Sequence, residues 1–460
     1  MVMLYSSLKG CKVPLKPHAP DRVTMYVCGP TVYDRIHLGN ARAIVVFDGI
    51  LRLLRHLYPT VIYVRNITDV DDKINAEAAK RGISIQALTS QTIMHFHEDI
   101  EALAVLPPTH EPKATDHIPQ MIGLVQMLLD QGHAYVEQGH VLFSVSSYKN
   151  YGQLSKMSLA HMKEGARVEV APYKKNPLDF VLWKPSQPQE TGWNSPWGWG
   201  RPGWHIECSA MSSQHFGPNF DVHGGGNDLL FPHHENERAQ SCCALGQQES
   251  AQIWMHNGML LVEGRKMSKS LGNFVTLHEV LQQHSGEVVR WALLSTQYRQ
   301  TLDWTPQLLH QAHVALTHLY QALKEAGKIA PEGPLTEGDG FWEALSDDFN
   351  TPEALRILQH HGKALHKDPS NTPLARTLQK EMQALGLGRY SPEAWFQARS
   401  ELPLSREELE EKIQQRNQAR RERDYKRADD IRDTLLKLGI VLEDISPEYT
   451  SWRLGESPPA

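Results

Sequence analysis

Cysteine is scarce: the five in this chain, Cys11, Cys28, Cys208, Cys242 and Cys243, are odd in number and too few for a disulfide framework. Long apolar runs are missing as well. Residues 43–47 are apolar, but Asp48 ends the run far short of the roughly 18 residues a membrane span needs. Ser, Lys and Gly break residues 1–15 before a signal-peptide core can form. These gaps exclude a transmembrane helix and lead us to expect a reducing, cytoplasmic setting. Charge of one sign is also lacking overall, since the formal balance is only -6, which gives no global attraction to nucleic acid. An average can hide a patch, however: between Lys412 and Lys437 nine Lys or Arg stand against five Asp or Glu.

What is present argues for a folded chain of several domains. Apolar residues make up 40% of 460, more than one core usually holds, and 11 Trp, 14 Tyr and 11 Phe supply bulk for burial. Residues 23–28 read as a short buried strand ending at Gly29-Pro30, and Phe47, Ile50, Leu51, Leu54 and Leu57 mark a helix by their spacing. A second strand at residues 61–64 completes a strand-helix-strand unit, the building block of parallel sheets whose ligands sit at the strands' carboxyl ends. Clustered Pro, Gly and Trp around residues 151–203, with Trp193, Trp197, Trp199 and Trp204, suggest an insertion. From Pro306 the series Leu309, Ala312, Leu316, Leu319 and Leu323 predicts a helical bundle. Near the end, one basic helix with a buried stripe of Ala428, Ile431, Leu435 and Leu438 is expected, then a short strand at residues 440–442.

Three groups of residues carry chemistry. Between the first strand and helix lies Cys28-Gly29-Pro30-Thr31-Val32-Tyr33-Asp34-Arg35-Ile36-His37-Leu38-Gly39-Asn40. Gly39 allows the backbone close to a phosphate, while His37 and Asn40 offer side-chain donors at the helix start. Taken alone, His37 reads more plainly as a capping residue. The second group is Lys266-Met267-Ser268-Lys269-Ser270, whose lysines and hydroxyls suit a polyphosphate. The third joins Cys28, Cys208, His233 and Glu237 into a chemically sound zinc set, with His233 and Glu237 one helical turn apart. By residue type His234 competes with His233, and Cys242-Cys243 is a further thiol source, although a buried pair is the plainer reading there. Asp69, Asp71 and Asp72 read as a helix cap in preference to a magnesium site.

In this order, with His37 and Lys266 separated by 229 positions, the first two groups resemble the paired signatures of class I aminoacyl-tRNA synthetases. The segments Met25-Tyr26-Val27-Cys28-Gly29, Tyr63-Val64-Arg65-Asn66-Ile67-Thr68-Asp69, Gly203-Trp204-His205-Ile206-Glu207-Cys208, His223-Gly224-Gly225-Gly226-Asn227-Asp228 and Phe231-Pro232-His233-His234-Glu235-Asn236-Glu237 resemble the cysteinyl-tRNA synthetase family over nearly the whole chain. The resemblance implies an α/β Rossmann-like catalytic domain with a parallel sheet and an inserted domain, followed by an α-helical bundle and a small C-terminal α/β module. The expected boundaries are 1–118 and 201–250 for the catalytic halves, 119–200 for the insertion, 251–312 for the lysine loop and tRNA stem contacts, 313–400 for the bundle and 401–460 for an anticodon-binding module.

The resemblance implies Cys28, Cys208, His233 and Glu237 as ligands of one zinc ion, favouring His233 over His234. It implies His37, Asn40, Lys266 and Lys269 as catalytic residues. ATP, with its Mg2+, is expected at His37, Gly39, Asn40, Gly224, Asp228 and Lys269. The family's first signature usually ends in His; Asn40 donates but carries no charge. Gly29, Thr68 and Trp204 are expected to line the amino-acid pocket, and Arg420, Arg421, Arg423, Arg427 and Trp452 to contact tRNA. The implied reaction is attachment of L-cysteine to tRNA(Cys) through cysteinyl adenylate by a monomer, zinc selecting the substrate thiolate. A ligase acylating a small amine would share the adenylate chemistry but has no need of a basic C-terminal module, and a noncatalytic zinc-containing RNA-binding protein has no need of the lysine loop.

Overall fold

The computed structural model describes residues 1–158, 162, 171–188, 190–268, 271–329, 333, 335, 340–397, 406–422, 424–438, 440–444 and 450–454. The chain forms two compact units. Met1–Ala312, Gly338–Ile357 and Glu381–Leu387 make the first, and His313–Glu337, Leu358–Lys380 and Gly388–Ala460 the second.

At the centre of the first unit is a four-stranded sheet in the order Ala251–Asn257, Phe220–Gly226, Arg22–Val27, Thr60–Arg65. Every neighbouring pair is parallel. These strands are nearly all buried, as expected when helices cover both faces. Helix Leu38–Leu57 joins the first two strands in sequence and buries Ala41, Val45, Phe47, Ile50, Leu51 and Leu54. It stops at Tyr58, which is extended (φ -125°, ψ 139°) because Pro59 disfavours helical backbone before it. Sequential strands spread outward in opposite directions from the boundary between Arg22–Val27 and Phe220–Gly226. That boundary is the topological switch point, where a crevice opens beyond the strands' carboxyl ends.

The insertion contains a five-stranded antiparallel sheet in the order Ala134–Glu137, His140–Phe143, Phe180–Pro185, Gly198–Pro202, Trp193–Ser195. Its Val141, Phe143, Leu182 and Trp183 share one hydrophobic cluster with Tyr26, Val64 and Trp254 of the central sheet. The two sheets therefore brace each other through a common core. Among the described residues no helix is long and apolar enough to cross a membrane.

In the second unit, two helices, Arg406–Arg421 and Tyr425–Lys437, precede an antiparallel hairpin of Ile440–Asp444 and Thr450–Leu454. This corrects the expected single basic helix: the first helix ends at Arg421, and the Asp424 carboxylate accepts the Arg427 N–H at 3.1 Å and caps the second. Ala428 and Leu435 of the expected stripe are buried and Ile431 is half-buried, but Leu438 is 38% exposed because it already lies at the helix C-cap. Trp452 also needs correction. It is only 8% exposed and packs with Leu409, Ile413, Leu435, Ile440 and Leu442, so its indole belongs to the module's core and offers no face to a base.

Candidate active site

A cavity of about 360 Å3 lies at the switch point. Its lining includes Cys28, Gly29, His37, Gly39, Asn40, Trp204, Asp228 and Lys266, all singled out in the sequence. Gly29 sits so close to Asn66 that an added Cβ would lie 1.7 Å from the Asn66 carbonyl oxygen, while its N–H donates to Asn66 Oδ1 at 2.9 Å. Only glycine permits that approach.

Residues distant in sequence meet here through backbone pairing. Leu38 N donates to Val275 O at 3.2 Å and Leu277 N to Ile36 O at 3.0 Å, which ties the segment after the lysine loop to the start of helix Leu38–Leu57. His37 caps that helix. Its Nδ1 accepts the Asn40 N–H at 3.2 Å, and Asn40 Oδ1 accepts the His37 N–H at 3.3 Å. The capping reading and the cavity-facing position therefore coexist. Because Nδ1 accepts, the proton of a neutral His37 imidazole sits on Nε2. Lys266 closes a short antiparallel pairing of Leu260–Val262 with Arg265–Lys266, and the Asn273 amide holds its carbonyl at 3.2 Å. Lys269 lies outside the described residues.

Arg42, which the sequence reading passed over, clamps this wall. Fully buried, it donates through Nη1 to the Gly258 and Met259 carbonyls at 2.9 and 2.7 Å, and through Nη2 to that of Gln300 at 2.7 Å. Burial lowers its guanidinium to about 10, which leaves it charged at neutral pH.

Beside Cys28 is a buried donor cluster. The ligand atoms of Cys28, Cys208, His233 and Glu237 all lie within 4.8 Å of one another. Cys28 Sγ is 3.7 Å from His233 Nε2 and 3.3 Å from Glu237 Oε1, and the latter two atoms are 2.9 Å apart. His205 Nδ1 meets His233 Nδ1 at 2.8 Å, directing the other imidazole nitrogen of His233 toward the cluster. Burial pushes the Glu237 carboxyl well up. The Cys28 hydrogen bond brings the Cys208 thiol down to about 7. Glu237 Oε2 makes no hydrogen bond among the described residues, although His223 Nε2 stands 3.4 Å from it. Two thiols, an imidazole and a carboxylate with an unsatisfied oxygen fit a borderline-soft divalent ion, whose charge would offset the cost of burying the anionic donors.

A second quartet shares Cys28 and Glu237 but uses His223 and His234. His223 Nε2 is 3.6 Å from Cys28 Sγ and 3.4 Å from Glu237 Oε2. The sequence reading missed His223. Its place follows from parallel register, which sets it opposite Tyr26, two residues before Cys28. Lying mid-strand in Phe220–Gly226, it carried no local signal of this role.

Other expected residues lie elsewhere. Thr68 is buried and does not line the cavity; its N–H donates to Pro30 O and its carbonyl accepts from Val32 N, so it secures the loop behind the site. Gly224 likewise does not reach the cavity, because its missing side chain makes room for Phe47, whose ring an added Cβ would meet at 2.3 Å. Gly226 occupies the lining instead. Asp71 caps helix Asp72–Arg81, Asp69 accepts from Thr115, and Asp72 pairs with Lys184 and Arg201, so these acids diverge as the cap reading expects. Cys242 and Cys243 are both buried and free. In the C-terminal module Arg421 and Arg427 are exposed, while Arg420 meets Asp444 at 2.8 Å. Arg423 lies outside the described residues.

Two family descriptions match the sequence: "tRNA synthetases class I (C) catalytic domain" over residues 14–314, and "Cysteinyl-tRNA ligase anticodon binding domain" over residues 405–453. The cysteine–tRNA ligase of Rhodospirillum rubrum is 52% identical over 455 residues, covering 98% of this chain and 99% of that protein. That of Paramagnetospirillum magneticum is 52% identical over 461 residues, covering 99% and 100%. Among solved structures, Mycobacterium tuberculosis methionyl-tRNA synthetase in complex with methionyl-adenylate aligns with a TM-score of 0.56 at 15% identity, over 82% of this chain and 91% of that one. The Agrobacterium radiobacter LeuRS in its ternary complex with tRNA and LeuAMS gives 0.55 at 13%, over 83% and 86%. At such identities the structural likeness concerns the fold alone.

Proposed function

The chain belongs to the cysteine–tRNA ligase family of class I aminoacyl-tRNA synthetases, and from that membership we propose how its residues divide the work of charging tRNA(Cys) with L-cysteine. The reading has two steps. Cysteine and MgATP form cysteinyl adenylate and pyrophosphate; the 2′-hydroxyl of the terminal adenosine then attacks the acyl carbon, loses its proton and expels AMP as the acyl–phosphate bond breaks. The observation that carries it is the presence of Cys28, one of four clustered donors, in the same cavity lining as His37 and Lys266.

Positioning and charge stabilisation supply the catalysis, since no covalent protein nucleophile is needed. His37 donates from Nε2 to a phosphate oxygen. Gly39 allows close approach, and Asn40, whose Oδ1 is engaged by the His37 N–H, contributes the amide hydrogens of Nδ2. Asp228 takes adenosine hydroxyl or amino donors. Lys266 and Lys269 neutralise charge moving onto pyrophosphate. Gly29 and Trp204 border the amino acid, while Thr68 acts from behind through the loop it secures. Cys28, Cys208, His233 and Glu237 would hold zinc, which when bound supplies a soft Lewis acid that a thiolate satisfies and the hydroxyl of serine does not. No editing step is then required. Arg421 and Arg427, with Arg420 in part, hold tRNA phosphates on the C-terminal module.

Exchange of labelled pyrophosphate into ATP tests the first step, and acid-precipitable cysteinyl-tRNA tests the second. Both should depend on cysteine. Equal exchange with serine, or exchange without any transfer to tRNA(Cys), would overturn the assignment.

A further inference from the structure

Lys73 lines the cavity, but none of the groups invoked above uses it. It stands at the beginning of helix Asp72–Arg81, where Asp71 Oδ1 accepts its N–H at 2.7 Å. The preceding residue fixes this turn from the other side. Asp72 accepts from Lys184 at 2.6 Å and Arg201 at 3.0 Å, both on the inserted sheet, and Arg201 is held in turn by Glu190 and Ser186. The Lys73 ammonium lies 5.6 Å from the centroid of the Tyr33 ring, a cation–π contact that restrains a long side chain without neutralising it. Among the described residues no carboxylate pairs with this ammonium. Asp34, also in the lining, faces Arg81 at 3.6 Å, and Arg35 is taken by Asp99 at 2.9 Å.

Topology indicates which anion it serves. The lysine loop follows Ala251–Asn257, one edge of the four-stranded order, whereas Lys73 follows Thr60–Arg65, the opposite edge. The switch-point crevice lies between them. Lys266, assigned above to pyrophosphate, therefore approaches the cavity from one side of the crevice, and Lys73 from the other. Being exposed, Lys73 also suits a substrate that arrives last, from solvent, with its own phosphates. We propose that Lys73, steadied over Tyr33 and anchored through Asp72, binds the phosphate of the 3′-terminal nucleotide of the acceptor tRNA and sets its hydroxyl against the aminoacyl group. This rests on the charging reaction proposed above and assigns one residue of its second step.

The test compares Lys73→Ala and Lys73→Arg in the full chain with zinc present. Cysteine-dependent pyrophosphate exchange is measured without tRNA, and single-turnover transfer from preformed adenylate is measured with tRNA(Cys). Loss of one charge-assisted phosphate contact should slow transfer by Lys73→Ala about tenfold to a hundredfold more than it slows exchange. The log–log salt dependence of tRNA affinity should become shallower by about 0.7, the share of one single-strand phosphate. Lys73→Arg should restore both the transfer rate and the salt slope. An equal fall in exchange and transfer would overturn the proposal by placing Lys73 in adenylate formation, and no fall in either would overturn it outright. Failure of the wild-type chain to exchange pyrophosphate would instead reject the charging reaction itself.

Discussion

Replacing Trp452 by alanine separates two roles for the same indole. As a core residue it buries about 200 Å2, and at about 25 cal/mol per Å2 its removal costs about 5 kcal/mol. Large-to-small core truncations of this kind fall in the range of about 3–5 kcal/mol. A module of about 50 residues has only about 2.5–7.5 kcal/mol of stability in total. Trp452→Ala should therefore leave residues 406–454 partly or wholly unfolded, since the packing around Leu409, Ile413, Leu435, Ile440 and Leu442 loses its largest member. A stacking role would be worth about 1–3 kcal/mol per base and would leave the fold intact. Limited proteolysis distinguishes the two: the variant should be cut rapidly within the module, Trp452→Phe much more slowly, and tRNA-independent pyrophosphate exchange should persist. Wild-type protease resistance in Trp452→Ala, combined with tRNA affinity lowered about tenfold, would refute the core assignment.

Metal analysis should find one zinc per chain, greatly reduced by Cys208→Ser and His233→Ala; retention in both, with loss in His223→Ala and His234→Ala, would shift the assignment to the second quartet. Lys269→Ala should slow adenylate formation about a hundredfold, the cost of losing one contact made to developing charge, and a single-turnover rate within twofold of wild type would reject that role. Burial alone would raise the Asp48 carboxyl, but Arg290 and Arg52, with the Leu106 N–H, outweigh it and hold the group below its ordinary value. Its stabilising share is thus fully present above about pH 3.9, the unfolded value, and is lost as pH falls through the lower folded value. Thermal unfolding followed against pH should show Asp48→Asn about 3–5 kcal/mol less stable at neutrality, because Arg290 loses its buried partner, and less sensitive to acid below pH 4. An unchanged acid limb would count against this pairing.

Much of the catalytic architecture was legible because its signals are local. Apolar runs at residues 23–28 and 61–64 mark buried parallel strands, and the spacing in Leu38–Leu57 marks the helix between them. The four donor residues were legible by type, although only the fold brings Cys28 to Glu237. His223 was not, because its role arises from strand register, which one sequence does not display. Thr68 was placed by adjacency to a motif, yet it lies beyond strand Thr60–Arg65 and bridges to Thr31. Gly224 was placed because glycine admits a ligand, yet on its strand it admits the Phe47 ring instead, while Gly226, two residues on, reaches the cavity. The C-terminal misreadings have a related cause. A basic run says where charge accumulates, but an Asp424 cap divides it into two helices, and a terminal Trp among polar residues gives no sign that a hairpin will fold it into a core.

The site joins firmly held walls to an exposed cationic strand. Arg42, one turn into helix Leu38–Leu57, binds the Gly258, Met259 and Gln300 carbonyls, while Leu38 and Leu277 pair across to Val275 and Ile36. The His37 loop, the wall that follows Ala251–Asn257 and the return from the lysine loop are thereby cross-linked at several points. Donors held in this way do not have to reorganise as charge develops in the transition state, which is where preorganised electrostatics has its effect. Lys266, by contrast, is exposed on a two-residue strand. That division suits the roles proposed for them: phosphate donors near His37 would have to keep one geometry, whereas a lysine following charge onto a departing pyrophosphate would gain from a flexible stem.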